Sequence, residues 1–438
     1  MFSGKIPLFL KELLKALTSR RFNSCLSKGS VARGLGTKVI LVLRLLICLQ
    51  IFFFIRITNG SFTNEIQSII CGTIKISDTI TIVNKNRFML GGKMKLLIHN
   101  NEITFRGDAT NTQNVALMLK GVDVQTLVVV PRSVRNHESR INEMRKQGID
   151  VIDYVSSNDL RCAARDFGVT HSMFVHDGRY RNDWIPDTRL LIHAVFNNYE
   201  PYGDVYAYVS RWLYNQATKD KNGRNPDELE SLRNITNSPY RMDRCVKTTW
   251  VPHTVMPKVG DGFDFRRRHK ISSNAFLIGR IGGYTEFNDS EAKKAVLKTI
   301  EKHKDVRFVF VNTRPFALHQ NIKYLGYITE SEKWDFYDAC DLLLNARLMG
   351  ESFGFSIVEP LMLGKPIIGP STERNRYMDR HHIEILKPMN LLYRSASDLE
   401  SKISQIINTP AETIHLRALV DQFTVDKVRQ RFFQEFLL

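Results

Sequence analysis

The sequence contains no C-x-x-C pair. Its six cysteines stand singly at 25, 48, 71, 162, 245 and 340. That argues against a zinc knuckle or a thioredoxin-like redox site and is most simply met by buried free thiols in a reduced compartment. Acidic residues are in short supply: 45 Asp and Glu stand against 62 Lys and Arg, a formal net charge of +17. Such a surplus favours anionic partners, namely nucleic acid, acidic lipid surfaces or phosphorylated small molecules. The basic run Arg266-Arg267-Arg268-His269-Lys270 lacks the interleaved aromatics that nucleic-acid binding calls for. It reads as a surface or linker run, with an anionic membrane surface as its natural contact. No D-x-D acid pair stands where a catalytic cation would be held, so no residue is assigned to a metal. His176-Asp177 and His381-His382 are read as surface or loop pairs. Asn59, Asn234 and Asn288 head N-x-S/T sequons, a motif short enough to arise by chance.

What is present is globular in composition: 43% hydrophobic and 24% charged over 438 residues. That length suits two domains and an appendage. The appendage is residues 1–93. Before residue 39 the only acid is Glu12, among Lys5, Lys11, Lys15, Arg20, Arg21, Lys28, Arg33 and Lys38. Val39-Ile55 follows, apolar except for Arg44, Cys48 and Gln50. Each large apolar residue favours insertion by roughly 0.3–0.6 kcal/mol and a central Arg opposes it by about 2.5–3.5, so the apolar sum exceeds the penalty by a thin margin. Residues 39–55 are therefore expected to form a hydrophobic helix. Three readings of the leader stay open: a membrane segment with a cytoplasmic N-terminus, a transit peptide, or a true start at Met94.

From Met94 onward, apolar runs of strand length alternate with helix-length segments. The runs are Met94-Ile98, Thr126-Val130, Ile149-Tyr154, His171-Val175, Leu190-Phe196 and Val205-Val209, with helices expected over Thr112-Leu119 and Ser156-Phe167. Asp220-Asp243 is polar and reads as a surface insertion. The pattern restarts after Pro257 with strands expected at Phe276-Ile281, Arg307-Val311, Ile322-Leu325, Leu342-Asn345 and Pro366-Gly369. Helices are expected at Ser290-His303, Ser331-Ala339 and Phe355-Leu363. Strands separated by helices imply βαβ units and parallel sheets. The expected architecture is thus α/β: two doubly wound domains, 94–256 and 257–438, with the last helix crossing back. Ligands would sit at the carboxyl ends of the strands, in a shared cleft.

The strongest local signal is Gly350-Glu351-Ser352-Phe353-Gly354-Phe355-Ser356-Ile357-Val358-Glu359, a strand-turn-helix junction. A helix start offers unpaired N–H groups to anionic or hydroxylated ligands, and carboxylates accept paired hydrogen bonds from sugar hydroxyls. Glu351-x7-Glu359 with Gly354 resembles the E-x7-E signature of retaining GT-B glycosyltransferases of the family-4 type. Phe276-Leu277-Ile278-Gly279-Arg280 resembles that family's strand ending in Gly-Arg. Leu190-Leu191-Ile192-His193 resembles its N-domain strand ending in His, and Thr249-Trp250-Val251-Pro252-His253 the stretch before its interdomain linker. The resemblance spans roughly residues 94–438. It implies a nucleotide-diphosphate sugar as donor, a glycan, lipid or protein-linked acceptor, transfer with retention, and no metal or other cofactor. By the same resemblance Glu351 orients the transferred sugar, Glu359 binds ribose and Arg280 meets the diphosphate. Backbone N–H groups of Phe353, Gly354 and Phe355 touch the donor, and His193 lies near the transferred sugar. Gly107, expected in a loop after the first strand, lets the backbone approach the diphosphate. One departure stands out: the family's Lys five residues after the Arg is Thr285 here, with Arg347, Arg374 and Arg376 as candidate replacements.

Two other classes remain in view, an epimerase or phosphorylase of the same architecture and a non-catalytic partner-binding or nucleic-acid-binding protein. Nothing marks the pyridoxal lysine that a phosphorylase requires. The composition shift near Met94 predicts that residues 94–438 fold without the leader. A chain expressed from Met94 is expected to unfold cooperatively on heating, and an insoluble product would contradict this.

Overall fold

Leu96, Leu97 and Ile98 are all fully buried, as are Leu127 to Val130. Strands buried on successive residues are covered on both faces, which is the signature of a parallel sheet flanked by helices. The computed structural model describes residues 94–437 except 123, 134, 182–183, 197, 199, 219–246, 375–378 and 410–412. Its first half runs β1 (Met94–Asn100), α1 (Gly107–Lys120), β2 (Val124–Pro131), α2 (Glu138–Lys146), β3 (Asp150–Tyr154), α3 (Ser157–Phe167), β4 (His171–His176), β5 (Arg189–Ala194), β6 (Val205–Tyr208), α4 (Arg211–Thr218) and β7 (Lys247–Trp250). Its second half runs α5 (Gly262–Arg268), β8 (Phe276–Ile281), α6 (Ser290–Lys302), β9 (Val306–Val311), β10 (Ile322–Leu325), α7 (Glu330–Ala339), β11 (Leu342–Leu344), β12 (Gly350–Glu351) and α8 (Phe355–Met362). It ends with β13 (Ile367–Pro370), β14 (Asp379–Arg380), α9 (His381–Leu386), β15 (Leu392–Tyr393), α10 (Ala396–Asn408), α11 (Thr413–Ala418) and α12 (Val425–Phe432).

The first sheet has strand order β3-β2-β1-β4-β5-β6-β7 and the second β10-β9-β8-β11-β13-β15. Every pairing in both is parallel. Each therefore carries the doubly wound order in which the winding reverses beside its first strand. In the first sheet that switch lies between β1 and β4; in the second it lies between β8 and β11.

Several elements differ from the sequence expectation. α1 begins at Gly107 rather than Thr112, so Gly107 is a helix-start residue and not a loop residue. Lys247–Trp250 is an edge strand and Glu138–Lys146 a helix; neither has the apolar content that marks such an element. The run Arg266-Arg267-Arg268 belongs to α5, and its charges are paired within the chain. Arg266 binds Asp341 at 2.8 Å, while Arg268 reaches Asp264, Glu332 and Asp335 at 2.6, 3.2 and 3.0 Å. The run clamps α5 to α7. The leader with its 39–55 helix, the Asp220-Asp243 insertion, the sequons at Asn59 and Asn234, and Arg376 all lie outside the described residues. Among the described residues no helix is long and apolar enough to cross a membrane, and Cys162 and Cys340 are free thiols.

The end of the chain returns to the first sheet. Val428 and Phe432 of α12, with Phe436 and Leu437 after it, share one core with Leu96, Ile98, Val128 and Ala207. Arg431 stacks 3.6 Å from the Trp250 ring centre and donates to the Trp250 carbonyl at 2.6 Å. Phe432 is fully buried, and a Phe→Ala change at such a site costs about 3–5 kcal/mol. Phe432→Ala is expected to lower stability by that order in urea unfolding, although its sequence neighbours belong to the second half. A change within experimental error would contradict the placement of α12.

Candidate active site

The winding reverses between β8 and β11, the point at which doubly wound sheets open a crevice at their carboxyl ends, and Arg280 stands next to last in β8. Its guanidinium is held by backbone and hydroxyl oxygens. Nη1 donates to Thr313 Oγ1 at 2.6 Å and to the Asn312 carbonyl at 3.2 Å, and Nη2 donates to the Gly283 carbonyl at 3.0 Å. Burial pulls its pKa down to about 10, against the pull of Glu286 and Glu351, so it stays cationic at neutral pH. The following loop is fixed by Glu286, which accepts the Gly283 N–H at 2.8 Å.

Glu351 lies across from it on β12, buried, with Oε1 accepting from Asn345 Nδ2 at 2.9 Å and Oε2 from Arg347 Nη1 at 3.1 Å. Burial raises its pKa, partly offset by Arg347. β12 pairs with β14, so Asp379 sits in register with Gly350, and burial pushes its carboxyl up to about 7. The turn into α8 depends on Gly354, whose φ of 83° is left-handed and whose side-chain position would crowd Glu351 Cβ at 3.0 Å. No side chain caps α8; the N–H groups of Ile357 and Val358 donate to the Gly354 carbonyl at 2.9 and 3.0 Å, and those of Phe355 and Ser356 remain as the open donors of a helix start.

Glu359, in the next turn of α8, is 2% exposed. Its oxygens are taken by Lys333 Nζ at 2.5 Å and Tyr337 Oη at 2.8 Å. Both partners lie on one face of α7, whose start is fixed by a capping box between Thr329 and Glu332. Lys333 also binds Glu330 at 2.8 Å. Burial alone would lower the Lys333 pKa, but the two carboxylates outweigh it and hold the ammonium charged. Glu330 lies 3.9 Å from Arg140 of α2 in the first half.

The first half meets this site through α1. Gly107 lies so close to Phe355, the first residue of α8, that a Cβ there would come within 2.9 Å of the ring. Any other residue would force the Phe355 ring to shift. His193, expected beside the transferred sugar, is enclosed at 1% exposure. Its Nε2 lies 2.7 Å from the Val251 carbonyl, and burial lowers its pKa to about 4. In this structure it touches no open surface, which is the geometry of a hydrogen-bonded core histidine. It connects to the site through His253, 5.2 Å from its ring centre, which packs on Phe353 and Phe355 at 5.0 and 5.3 Å. The Nδ1 of His253 is buried without a partner. Arg374 is held by Asp289, at 2.5 Å and 3.2 Å. His176, His381 and His382, expected in surface or loop pairs, are instead buried at the end of β4 and the start of α9: His176 bonds Tyr202, His381 lies against the Phe353 carbonyl and His382 against that of Pro370.

The structure therefore brings Arg280, Glu351, Arg347 and the start of α8 to one crevice. Glu359 is nearby but already paired, and His193 lies one layer behind. Sequence reasoning missed Asn345, Asp379, Lys333 and Tyr337, none of which stands in a motif, and it gave His253 no part in the site although the Thr249–His253 stretch ends on it. Lys333 and Tyr337, four apart on one helix, carry the only pattern that points at Glu359, and it becomes visible once α7 is packed on α8.

Solved structures of similar fold place the architecture. The chain resembles Anabaena Alr3699/HepE, solved with UDP and glucose, at TM-score 0.57 and 13% identity over 78% of this chain and 98% of that one. A glycosyltransferase of Rickettsia africae ESF-5 matches at TM-score 0.56 and 13% identity, over 79% and 98%. The pneumococcal O-GlcNAc transferase GtfA, solved with UDP and GlcNAc, matches at 0.53 and 11%, over 78% and 98%. The fold is GT-B. No family model matches the sequence, and no curated protein does either.

Removing Lys333 would leave Glu359 buried beside Glu330 with no cation, a loss of about 3–5 kcal/mol for a broken buried pair. Burial already holds the Glu359 carboxyl above its unfolded value against the pull of Lys333 and Tyr337, and without Lys333 it rises further. An acid with a raised folded pKa costs nothing below the unfolded carboxylate range and most above its folded pKa. Lys333→Met is accordingly expected to be most destabilised near pH 7, with the deficit shrinking as pH falls toward 4. Urea unfolding across that range checks it, and a pH-independent deficit would contradict the assignment.

Proposed function

We propose that this protein is a glycosyltransferase that moves a sugar from a nucleotide-diphosphate donor to an acceptor hydroxyl with retention of configuration. The observation that carries the reading is the convergence of Arg280, Glu351 and the uncapped start of α8 at the switch point of the second sheet. That is where doubly wound folds bind nucleotides. The fold likeness to HepE and GtfA, both solved with UDP and a sugar, supports the same class.

In this reading Arg280 faces the leaving diphosphate and stabilises charge as the bond from the anomeric carbon to the phosphate oxygen breaks. The N–H groups of Phe353, Gly354 and Phe355 hold donor oxygens, with the Gly107 backbone closing the other side. Glu351, already oriented by Asn345 and Arg347, accepts hydrogen bonds from the sugar. The acceptor oxygen attacks on the face from which the diphosphate leaves, and the leaving phosphate takes the acceptor proton. Glu359 serves the ribose. His193 acts on the sugar's position through Val251 and His253 rather than by contact. No metal is part of this proposal.

Steady-state transfer from a panel of nucleotide sugars, with the anomeric configuration read by NMR, tests it. Arg280→Ala should lower turnover by about 10²- to 10³-fold. Glu351→Ala should chiefly lower turnover, Glu359→Gln should chiefly weaken donor binding, and His193→Ala should lower turnover with little change in nucleotide affinity. An inverted product, or activity lost in EDTA and restored by Mn²⁺, would refute this mechanism.

A further inference from the structure

We propose that Arg347 supplies the second cation for the donor diphosphate, doing from the end of β11 what a lysine at position 285 would do from the loop after β8. The inference rests on the nucleotide-sugar reading and adds a residue to it. It starts from Thr285, which is exposed in the turn closed by the Glu286 N–H on the Gly283 carbonyl at 3.0 Å. A hydroxyl there offers no charge, and Arg280 by itself is a single cation facing a ligand of at least two negative charges.

Three arginines are available to the argument on sequence grounds, and the structure separates two of them. Arg374 has its Nε and Nη2 committed to Asp289, which is itself fully buried and bonded to Tyr393. Among the described residues it pairs with Asp289 and contacts neither Arg280 nor Glu351. Arg347 is placed differently. Its Nη1 lies 3.1 Å from Glu351, its Nε 3.3 Å from Glu286, and its side chain keeps 23% of its exposure. Its Nη2 donates to no side chain or carbonyl among the described residues. The guanidinium has five N–H donors in a rigid fork, so two edges can hold carboxylates while the third faces a phosphate oxygen.

The carboxylates around it explain how it is aimed. Burial tends to lower the Arg347 pKa, but Glu351 and Glu286 outweigh it and keep the group charged. Arg347 in turn lowers the pKa of Arg280 through space, so the two cations share one electrostatic neighbourhood. The loop that lacks a lysine at 285 thus contributes, one residue on, the carboxylate that steers a cation in from the neighbouring strand. Arg347 also stands four residues before Glu351, so one side chain couples the diphosphate position to the sugar-facing carboxylate.

The test is calorimetric titration of the full chain with UDP, GDP and ADP, each compared with its phosphate-free nucleoside. In wild-type protein one diphosphate should bind well above its nucleoside. Arg347→Ala should weaken that diphosphate by about 10- to 100-fold, the scale of one charge-assisted hydrogen bond, and leave the nucleoside unchanged. Thr285→Lys in the Arg347→Ala background should restore most of the loss, because it returns the charge from the other side. Arg347→Lys should fall between wild type and Arg347→Ala, and it carries the comparison if the alanine variant does not fold. Unchanged diphosphate affinity in Arg347→Ala, or equal losses for diphosphate and nucleoside, would overturn the role of Arg347 while leaving the donor reading intact. If wild-type protein binds none of the three diphosphates, the donor reading itself falls and this inference falls with it.

Discussion

Every strand of the two main sheets runs parallel to its neighbours, and a parallel strand cannot be reached by a tight turn. Each connection must cross a face of the sheet, and a helix normally makes that crossing. Both faces are then covered, and the open ground left for chemistry is the edge where strands end. The reversal of winding beside β1 and beside β8 parts the loops at that edge. Arg280, Asn345 and Glu351 stand where they do because β8 and β11 are neighbours whose following chains diverge. The same constraint explains why the apolar residues of β1, β2 and β4 are buried continuously and do not alternate.

Charge is organised around this geometry in pairs. Arg266, Arg268 and Lys333 are bound to Asp or Glu of neighbouring elements. The basic surplus of the sequence therefore does not translate, at these positions, into a bare cationic surface. The pairs that matter most are those least exposed. A surface ion pair contributes about 0–1 kcal/mol, whereas Glu359 at 2% exposure would be untenable as an anion without Lys333. Arg140, itself buried, extends this line of charge from α7 to α2 and so ties the donor-side helix to the opposite half.

The sequence made the strands legible because their apolar runs are long and the helices between them are not. All six expected strands in the first half and all five in the second overlap the observed ones to within about two residues at either end. Lys247–Trp250 escaped because an edge strand needs only one neighbour and here contains two threonines and a lysine. The start of α1 escaped because Gly107, Asp108, Thr110, Asn111 and Thr112 are polar or small, yet it is buried against the other half and not against its own sheet alone. Glu351, Gly354 and Arg280 were legible through local spacing. Lys333 and Tyr337 were not, since they meet Glu359 across 26 and 22 residues. His193 shows what local spacing does not carry: its strand ends at the expected edge, but its ring turns inward to a carbonyl of the next segment.

The occupied state of Glu359 sets a condition on how a ribose could be recognised there. Ribose hydroxyls are neutral, so they cannot replace Lys333 as the countercharge of a buried carboxylate without the full cost of an unpaired anion. They need not do so. A carboxylate has about four lone-pair positions, and Lys333 and Tyr337 take one on each oxygen. Two remain, one per oxygen, and a vicinal diol presents two donors at matching separation. The buried ammonium then fixes the charge and orientation of the carboxylate before any ligand arrives, and the diol adds hydrogen bonds without displacing it. If the proposed nucleotide-sugar donor binds here, Lys333 preorganises Glu359 for it and does not compete with it. The same logic applies to Glu351, where Asn345 and Arg347 hold one position on each oxygen and leave the others for the hydroxyls of the proposed donor sugar.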